Sequence, residues 1–367
     1  MIIGLSGSDA PRVSQVMPLV HHNPATHGMF RISVEVDDGI ITSAQPLLGS
    51  MHRGAEKLFE SRDYRQVLGL ANRHEWLSAY SGEVGVAQLV EQTLGIEVPP
   101  AAKLLRTVML EVSRVTSHLA FLAAFPWSDN HTGQSYRAQR ENLVAHMQQY
   151  TGSRMHHMLT RIGGLTHAPT KQWVDALIEI LESTTTTLTS IPENARSEYV
   201  GLGTLTLDAA HDLAVSGPVA RASGYPIDLR TQDALLVSNS AWTMTHATAG
   251  DVTARLEILH NEVIVSANSI HTFANEIHQV LNHEVNVLLP KVLRVPEGSY
   301  QHSIETPLGI ASWFLVSKGD KMPYRLKLRP ASLHTVLALP TVLVNQSVEH
   351  VAQIVASMPF VAGDVDR

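Results

Sequence analysis

The segment from Ala101 to Phe125 sets the tightest limit on what this chain can fold into. Leu104, Leu105, Val108, Val112, Val115, Leu119 and Leu122 recur at intervals of three and four, the spacing of one continuous α-helix. So many of its other positions are apolar that little surface is left for water, yet Arg106, Glu111, Arg114 and His118 lie along it. A helix that is apolar on most sides has to be surrounded by other elements. Charged groups carried into such surroundings must find partners there. Pro126 stops the helix, and the chain is expected to build a bundle around it.

The remaining patterns supply the other elements. Arg31 to Val36 alternates polar and apolar residues, Asp37-Asp38-Gly39 turns, and Ile40 to Ala44 returns, which predicts a β-hairpin. Leu58, Tyr64, Leu68, Val86, Leu89, Val90 and Leu94 predict helix from His52 to about Gly95, ended by Gly95 and Pro99-Pro100. Further helices are expected over 135–157, 171–188 and 251–289, the last with room for one break. Glycines at 201, 203, 217 and 224 mark a loop-rich region. Strands are expected at 310–316 and 324–329, with short helices near 333–339 and 346–357, and residues 1–17 read as a loose lead-in. The fold class is α+β, mainly α: a helical bundle with small β elements at its N- and C-terminal ends. It divides into an N-terminal loop and hairpin region (1–50), a helical core (51–295) and a mixed β/α region (296–367), with no internal repeat.

Composition narrows the function. Hydrophobic residues make up 44% and charged residues 17% of 367, a globular mixture rather than a disordered one. A formal charge of −7 argues against nucleic acid as a partner, because phosphate binding rests on accumulated Lys and Arg. The chain has no cysteine, so it offers no thiolate to an iron–sulfur cluster or to nickel. Any such cluster must belong to a partner. The N-terminus lacks the pattern of a secretion signal, and the longest apolar runs fall short of a bilayer span, so the chain reads as soluble and cytoplasmic.

Twenty histidines invite a metal reading, but His283-Glu284 has no second histidine at helical spacing, and His271 and His278 share a helix face without a third ligand. No metal site is assigned. Phosphate-loop, dinucleotide and serine-elbow fingerprints are also missing. Arg325, Lys327 and Arg329 put three cations on one strand face, which suits either a solvated edge or an acidic partner. The stretch from His21 to Tyr80 is different: His27 can move a proton near neutral pH, Arg53 can fix an anion or a polar ring substituent, and Gly28 and Gly54 leave space beside each. A packed structural corner and a ligand site both fit these residues.

Six separated motifs carry a resemblance. Asn23-Pro24-Ala25-Thr26-His27-Gly28, His52-Arg53-Gly54-Ala55-Glu56-Lys57, Gly152-Ser153-Arg154-Met155-His156, Arg161-Ile162-Gly163-Gly164, Arg221-Ala222-Ser223-Gly224 and Gly363-Asp364-Val365-Asp366-Arg367 together resemble the D subunit of respiratory complex I, the large quinone-site subunit of NADH:quinone oxidoreductase. That family is similar to the large subunit of nickel–iron hydrogenases, so the resemblance implies a hydrogenase-large-subunit-like bundle. The metal-holding cysteine pairs of the hydrogenases would fall near Glu75 and Ser78 and near the C-terminus, and none is present.

The resemblance implies a quinone-reduction site beside the terminal iron–sulfur cluster of a small partner subunit, with electron transfer linked to proton translocation. Quinone is then a substrate, this chain binds no cofactor of its own, and NAD and the clusters sit on partner subunits. Other peripheral-arm subunits and a membrane subunit at the quinone entrance complete the expected partners, placing the chain peripherally on the cytoplasmic side of the cell membrane. His27 matches the family's quinone-binding histidine. The family's quinone-binding tyrosine position is Trp76 here, and an indole N–H donates but does not titrate usefully. Tyr80, four residues on, is the candidate to replace the phenol as a catalytic group. Asp129, with Ser128 competing, is the candidate carboxylate partner of His27, and Arg53 matches an arginine that tunes the partner's cluster. The implied alternatives are a non-catalytic scaffold or divergent paralogue docking an iron–sulfur subunit, and a ferredoxin-driven relative.

Overall fold

The structure is a computed structural model and describes residues 2–4, 16–17, 28–232, 237 and 243–367. At its centre stands the expected apolar helix, which runs from Pro100 to Ala124 (Pro at its first turn, as a missing N–H allows) and is buried almost throughout. In chain order, α1 (Ala55–Glu60), α2 (Tyr64–Ala71), a 3-10 turn (Trp76–Ser78) and α3 (Ala79–Leu94) precede this helix, α4, and α5 (Asn130–Thr151) and α6 (Lys171–Thr187) follow it. Short helices α7 (Glu193–Glu198), α8 (Leu207–Asp212) and α9 (Gly217–Ala222) lead to α10 (Val252–Thr272) and α11 (Ala274–Val280). The last segment adds α12 (Ala331–Leu337), α13 (Leu339–Leu343), α14 (Val351–Ala356) and α15 (Ala362–Val365). Helices α5 and α10 pack along α4, and α6 packs on both.

Two differences from the sequence reading concern continuity. The helical stretch 52–95 is interrupted at Ser61–Asp63 and again at 72–75, where Asp63 caps α2 by accepting from the N–H groups of Arg65 and Gln66. The stretch 251–289 breaks at Phe273 and is not helical after Leu281. In the first turn of α3, Gly82 lets that helix pass close to the end of α2: a Cβ there would stand 2.4 Å from the carbonyl oxygen of Ala71.

Small sheets flank the bundle. Strands β1 (Ile2–Gly4), β2 (Val16–Met17), β3 (Arg31–Asp37) and β4 (Ile40–Leu47) form one sheet in the order β2-β1-β3-β4, so part of the lead-in is ordered on the predicted hairpin. A two-residue ladder joins β5 (Thr160–Arg161) to β6 (Gly164–Leu165). The C-terminal sheet contains β7 (Gly298–Thr306), β8 (Gly309–Ser317) and β9 (Arg325–Arg329). Strand β7 is not among the expected strands, because its polar composition hides it, although it pairs with β8 along its whole length. On β9 the three cations have different fates. Arg325 meets Glu56 at 2.6 Å and Glu60 at 2.9 Å, Arg329 lies 3.0 Å from His334, and Lys327 is exposed. The acidic partner of this strand is thus partly α1 of the same chain.

The two end regions are stitched together. The hairpin tip bonds to residues 345–348, with Ile41 N–H donating to Gln346 O at 2.9 Å and Asn345 N–H to Ile41 O at 2.8 Å. Phe30 packs edge-on against Phe360, ring centroids 4.8 Å apart. Below, Asp366 accepts from the N–H groups of Gly49 (2.7 Å) and Met51 (2.8 Å), and its carbonyl lies 2.7 Å from Nδ1 of His52.

Candidate functional site

The charges carried by α4 are partnered inside the bundle, as a buried charge requires. Arg106 makes a two-pronged pair with Glu91 at 2.7 and 2.8 Å and donates to the carbonyls of Arg161 and Gly164. Glu111 accepts from Arg230 (2.9 Å) and Ser266 (2.7 Å). Arg114 lies 3.6 Å from Glu262, whose carboxylate also meets His118 at 2.8 Å and Arg221 at 2.7 Å. Burial alone would raise Glu262, but Arg221, His118 and Arg114 hold it well below the usual carboxylate range. Arg221 continues to Glu305 at 2.9 Å.

The candidate site lies where the loop after β4, the segment before α3 and the C-terminal tail meet. Gly28 enters this corner with a φ of +79° that favours glycine, and a Cβ there would be tight, 3.0 Å from Met51 Sδ and 3.5 Å from Ala362 Cβ. Gly54 plays a different part from the one its sequence suggests. Nothing stands within 4 Å of its Cβ position, and its φ of +64° at the start of α1 is what favours glycine. His27, the proposed quinone ligand, lies outside the described residues; the described chain resumes at Gly28. Arg53 is exposed and donates to the carbonyl of Arg73 at 2.8 Å.

Residues 74–76 carry the rest of the corner. His74 is buried against Phe59, and neither ring nitrogen has a hydrogen-bond partner among the described residues. Burial, then the positive charges of Arg53 and Arg367, lower it to about 4, so the ring is neutral at neutral pH. Glu75 is 7% exposed and Asp364 2%. Burial pushes Glu75 well up, the Asp364 charge adds to this, and Thr306, Arg114 and Ser78 oppose it. Asp364 is likewise raised by burial, to about 7, against the pull of Ser332 and Arg367. The two neighbourhoods where the hydrogenase resemblance sets cysteine pairs therefore do meet in space, and here they bring together carboxyls. Among the described residues, no group of three or more His, Asp or Glu side chains is arranged to hold a metal ion.

Trp76 is half-buried and lines a cleft with Leu77, Ser113, Thr116, Arg140 and His157. Tyr80 does not share that cleft. Its ring is 1% exposed, and its hydroxyl sits by Thr160, Arg106, Glu83 and Glu91, where burial raises the phenol far above its usual range. One helical turn separates the two residues in sequence, but the turn from 3-10 to α-helix at Ser78–Ala79 sends them to different surroundings. Asp129 follows α4 as expected and serves as the cap of α5. One of its oxygens accepts from the N–H groups of Thr132 (2.7 Å) and His131 (2.8 Å), the other from Thr132 Oγ1 (2.8 Å), and the Thr132 and His131 bonds hold it below its usual range. His74, Glu75, Asp364 and the Asp366 clamp were not singled out by residue chemistry. Their isolation from water is the signal, and only packing reveals it.

This cysteine-free bundle resembles a component of a respiratory membrane complex. It superimposes on a chain of the membrane-bound sulfane sulfur reductase, an archaeal respiratory membrane complex, with a TM-score of 0.87 and 26% identity, covering 92% of this chain and 95% of that one. Residues 132–367 match the family model described as respiratory-chain NADH dehydrogenase, 49 kDa subunit. The D 2 subunit of the NADH-quinone oxidoreductase of Streptomyces griseus is 38% identical over 100% of this chain and 95% of its own length, and the D 1 subunit of that of Streptomyces coelicolor is 39% identical over 100% and 98%. The D subunit of the Carboxydothermus hydrogenoformans enzyme is 31% identical over 94% and 96%. The chain belongs to the family of 49 kDa, or D, subunits of respiratory NADH dehydrogenase, and is part of an oxidoreductase complex.

Proposed function

We propose that this chain forms the quinone-reduction site of a complex-I-like NADH:quinone oxidoreductase, next to the terminal iron–sulfur cluster of a partner subunit, and links electron transfer to proton translocation. His27 binds the quinone and relays a proton, Trp76 forms a facing wall, and Arg53 lends positive charge toward the partner's cluster. NAD and the clusters are held by other peripheral-arm subunits, and the quinone enters past a membrane subunit. No helix among the described residues is long and apolar enough to cross a membrane, so the chain associates peripherally, through the complex, on the cytoplasmic side. The observation that carries this reading is the convergence of Gly28, Met51, Arg53, Glu75 and Ala362–Asp366 on one corner beside the Trp76 cleft. Quinone reduction takes two electrons and two protons. The electrons come from the partner, so the chain's own task is to bind the ring and manage protons.

The buried hydroxyl of Tyr80 and the capping duty of Asp129 leave neither free to act on the ring, which puts the proton work on His27 and its surroundings. A second reading, in which the complex reduces another acceptor or this chain is a docking scaffold, draws support from Trp76 standing where the family has a phenol. The test is quinone reduction by the native complex. His27→Ala should slow it about a hundredfold, and Tyr80→Phe should leave it unchanged. Full activity in His27→Ala refutes the site, and an inactive wild-type complex favours the second reading.

A further inference from the structure

Asn72, at the end of α2, is wholly buried, and three of its atoms are engaged. Its amide nitrogen donates to Glu83 Oε1 at 2.8 Å, and its amide oxygen accepts from Nη1 of Arg73 at 2.5 Å. Because a carboxylate only accepts and a guanidinium only donates, one orientation of the amide serves both. The main-chain carbonyl of Asn72 accepts from Nδ1 of His156 at 3.2 Å, and the next carbonyl, that of Arg73, accepts from Arg53 at 2.8 Å. Two consecutive carbonyls and one amide thus gather Arg53, Arg73 and His156 into one patch. The charges of both arginines bear on the imidazole.

Glu83, on α3 and equally buried, holds this arrangement from below. Besides Asn72, its carboxylate accepts from the N–H groups of Met158 at 2.8 Å and Thr160 at 3.1 Å. Met158 has a φ of +50°, a conformation that a residue with a side chain rarely adopts, so its backbone needs such a tie. Arg161, whose charge also bears on Glu83, is occupied by the carbonyls of Met158 and Thr160, both at 2.8 Å. Gly82 brings α3 near enough for the bond to Asn72: a Cβ there would stand 3.3 Å from Asn72 Cα. One carboxylate therefore fixes both segments, 72–73 and 156–160, that supply the patch.

We infer that Glu83, acting through Asn72, is a positioning residue that sets where Arg53 and Arg73 present their positive charge to the partner's iron–sulfur cluster. The inference rests on the role given to Arg53 under the quinone-site reading. A cation held at a fixed place favours an added electron nearby, and the effect falls as the cation moves away. Neither Glu83 nor Asn72 touches the acceptor. Glutamine at 83 keeps the shape but turns one acceptor into a donor, which then faces an N–H of Asn72, Met158 or Thr160. Alanine at 72 removes the acceptor of the Arg73 guanidinium outright.

The experiment is a redox titration of the partner's terminal cluster in the purified native complex, followed by the paramagnetic signal of its reduced form. Arg53→Ala sets the scale, and should lower the ratio of reduced to oxidised cluster at a fixed potential about tenfold, equivalent to about 59 mV for a one-electron couple. Glu83→Gln and Asn72→Ala should each lower it at least threefold, a shift that loss of stability alone does not produce. Asn72→Ala decides the matter if Glu83→Gln does not assemble, and Arg73→Gln, at an exposed side chain, decides it if neither does, with the same threefold fall expected. Variants at 83, 72 or 73 that keep the wild-type potential while Arg53→Ala shifts it overturn the positioning role and leave the reading of Arg53 standing. An unmoved potential in Arg53→Ala overturns that reading and the inference together.

Discussion

Replacing Arg106 by methionine tests whether the charges on α4 hold the bundle together as its packing indicates. The side chain is 1% exposed and so is its partner Glu91. Methionine keeps much of the volume but leaves Glu91 with the Gly163 N–H at 2.6 Å on one oxygen and no Arg106 on either. Removing one member of a buried pair costs about 3–5 kcal/mol, chiefly because the other charge stays buried and uncompensated. The carbonyls of Arg161 and Gly164 lose a donor as well, which adds to the same end of the range. For amides that exchange by opening of the whole bundle, a loss of about 3–5 kcal/mol raises the exchange rate by roughly a hundredfold to a few thousandfold. Hydrogen exchange of the α3 and α4 amides in the assembled complex reads this directly. Pairing the change with Glu91→Leu should recover at least about 2 kcal/mol, since an apolar replacement of both partners removes the stranded charge. An Arg106→Met complex whose α3 and α4 amides exchange within threefold of wild type refutes the reasoning, as does a double variant whose losses simply add.

The remaining predictions concern the corner and α3. Asp366→Ala removes the acceptor of the Gly49 and Met51 N–H groups and should destabilise the 49–53 loop by about 2–3 kcal/mol, seen as faster proteolysis confined to that loop. Gly82→Ala drives a Cβ to 2.4 Å from the Ala71 carbonyl and should prevent assembly, while Gly95→Ala, with open space but a φ of +61°, should cost only about 1 kcal/mol. His74, at about 4 against an ordinary value of 6.5, binds its proton more readily unfolded than folded, so it favours unfolding as pH falls from about 6.5 toward 4. Stability is highest above that window, and His74→Met should reduce the slope of melting temperature against pH within it.

The sequence announces elements whose pattern is local. Helix α4 and the β3–β4 hairpin show their periodicity directly, and the burial of Arg106, Glu111, Arg114 and His118 follows from the apolar residues around them. Their partners, at positions such as 91, 230 and 262, are set by how distant helices cross, which no local pattern records. Strand β7 escaped because its side chains are mostly polar, and pairing with β8 overrides that composition. At the site, the motifs at 52–57 and 363–367 meet in one corner of the fold, and the resemblance names His27, Arg53 and Trp76. Tyr80 was expected one helical turn from Trp76 on a shared face, a spacing argument that fails where a 3-10 turn hands over to an α-helix. The isolation of Glu75 and Asp364 depends on two chain ends meeting.

That meeting constrains how the protein comes into being. The bond between Gly49 and Asp366 spans 317 positions and that between Met51 and Asp366 spans 315. A ribosome must therefore reach residue 366 before the loop carrying Arg53 acquires these anchors. The 49–51 loop is thus fixed by non-local bonds, and its order depends on the rest of the fold being in place.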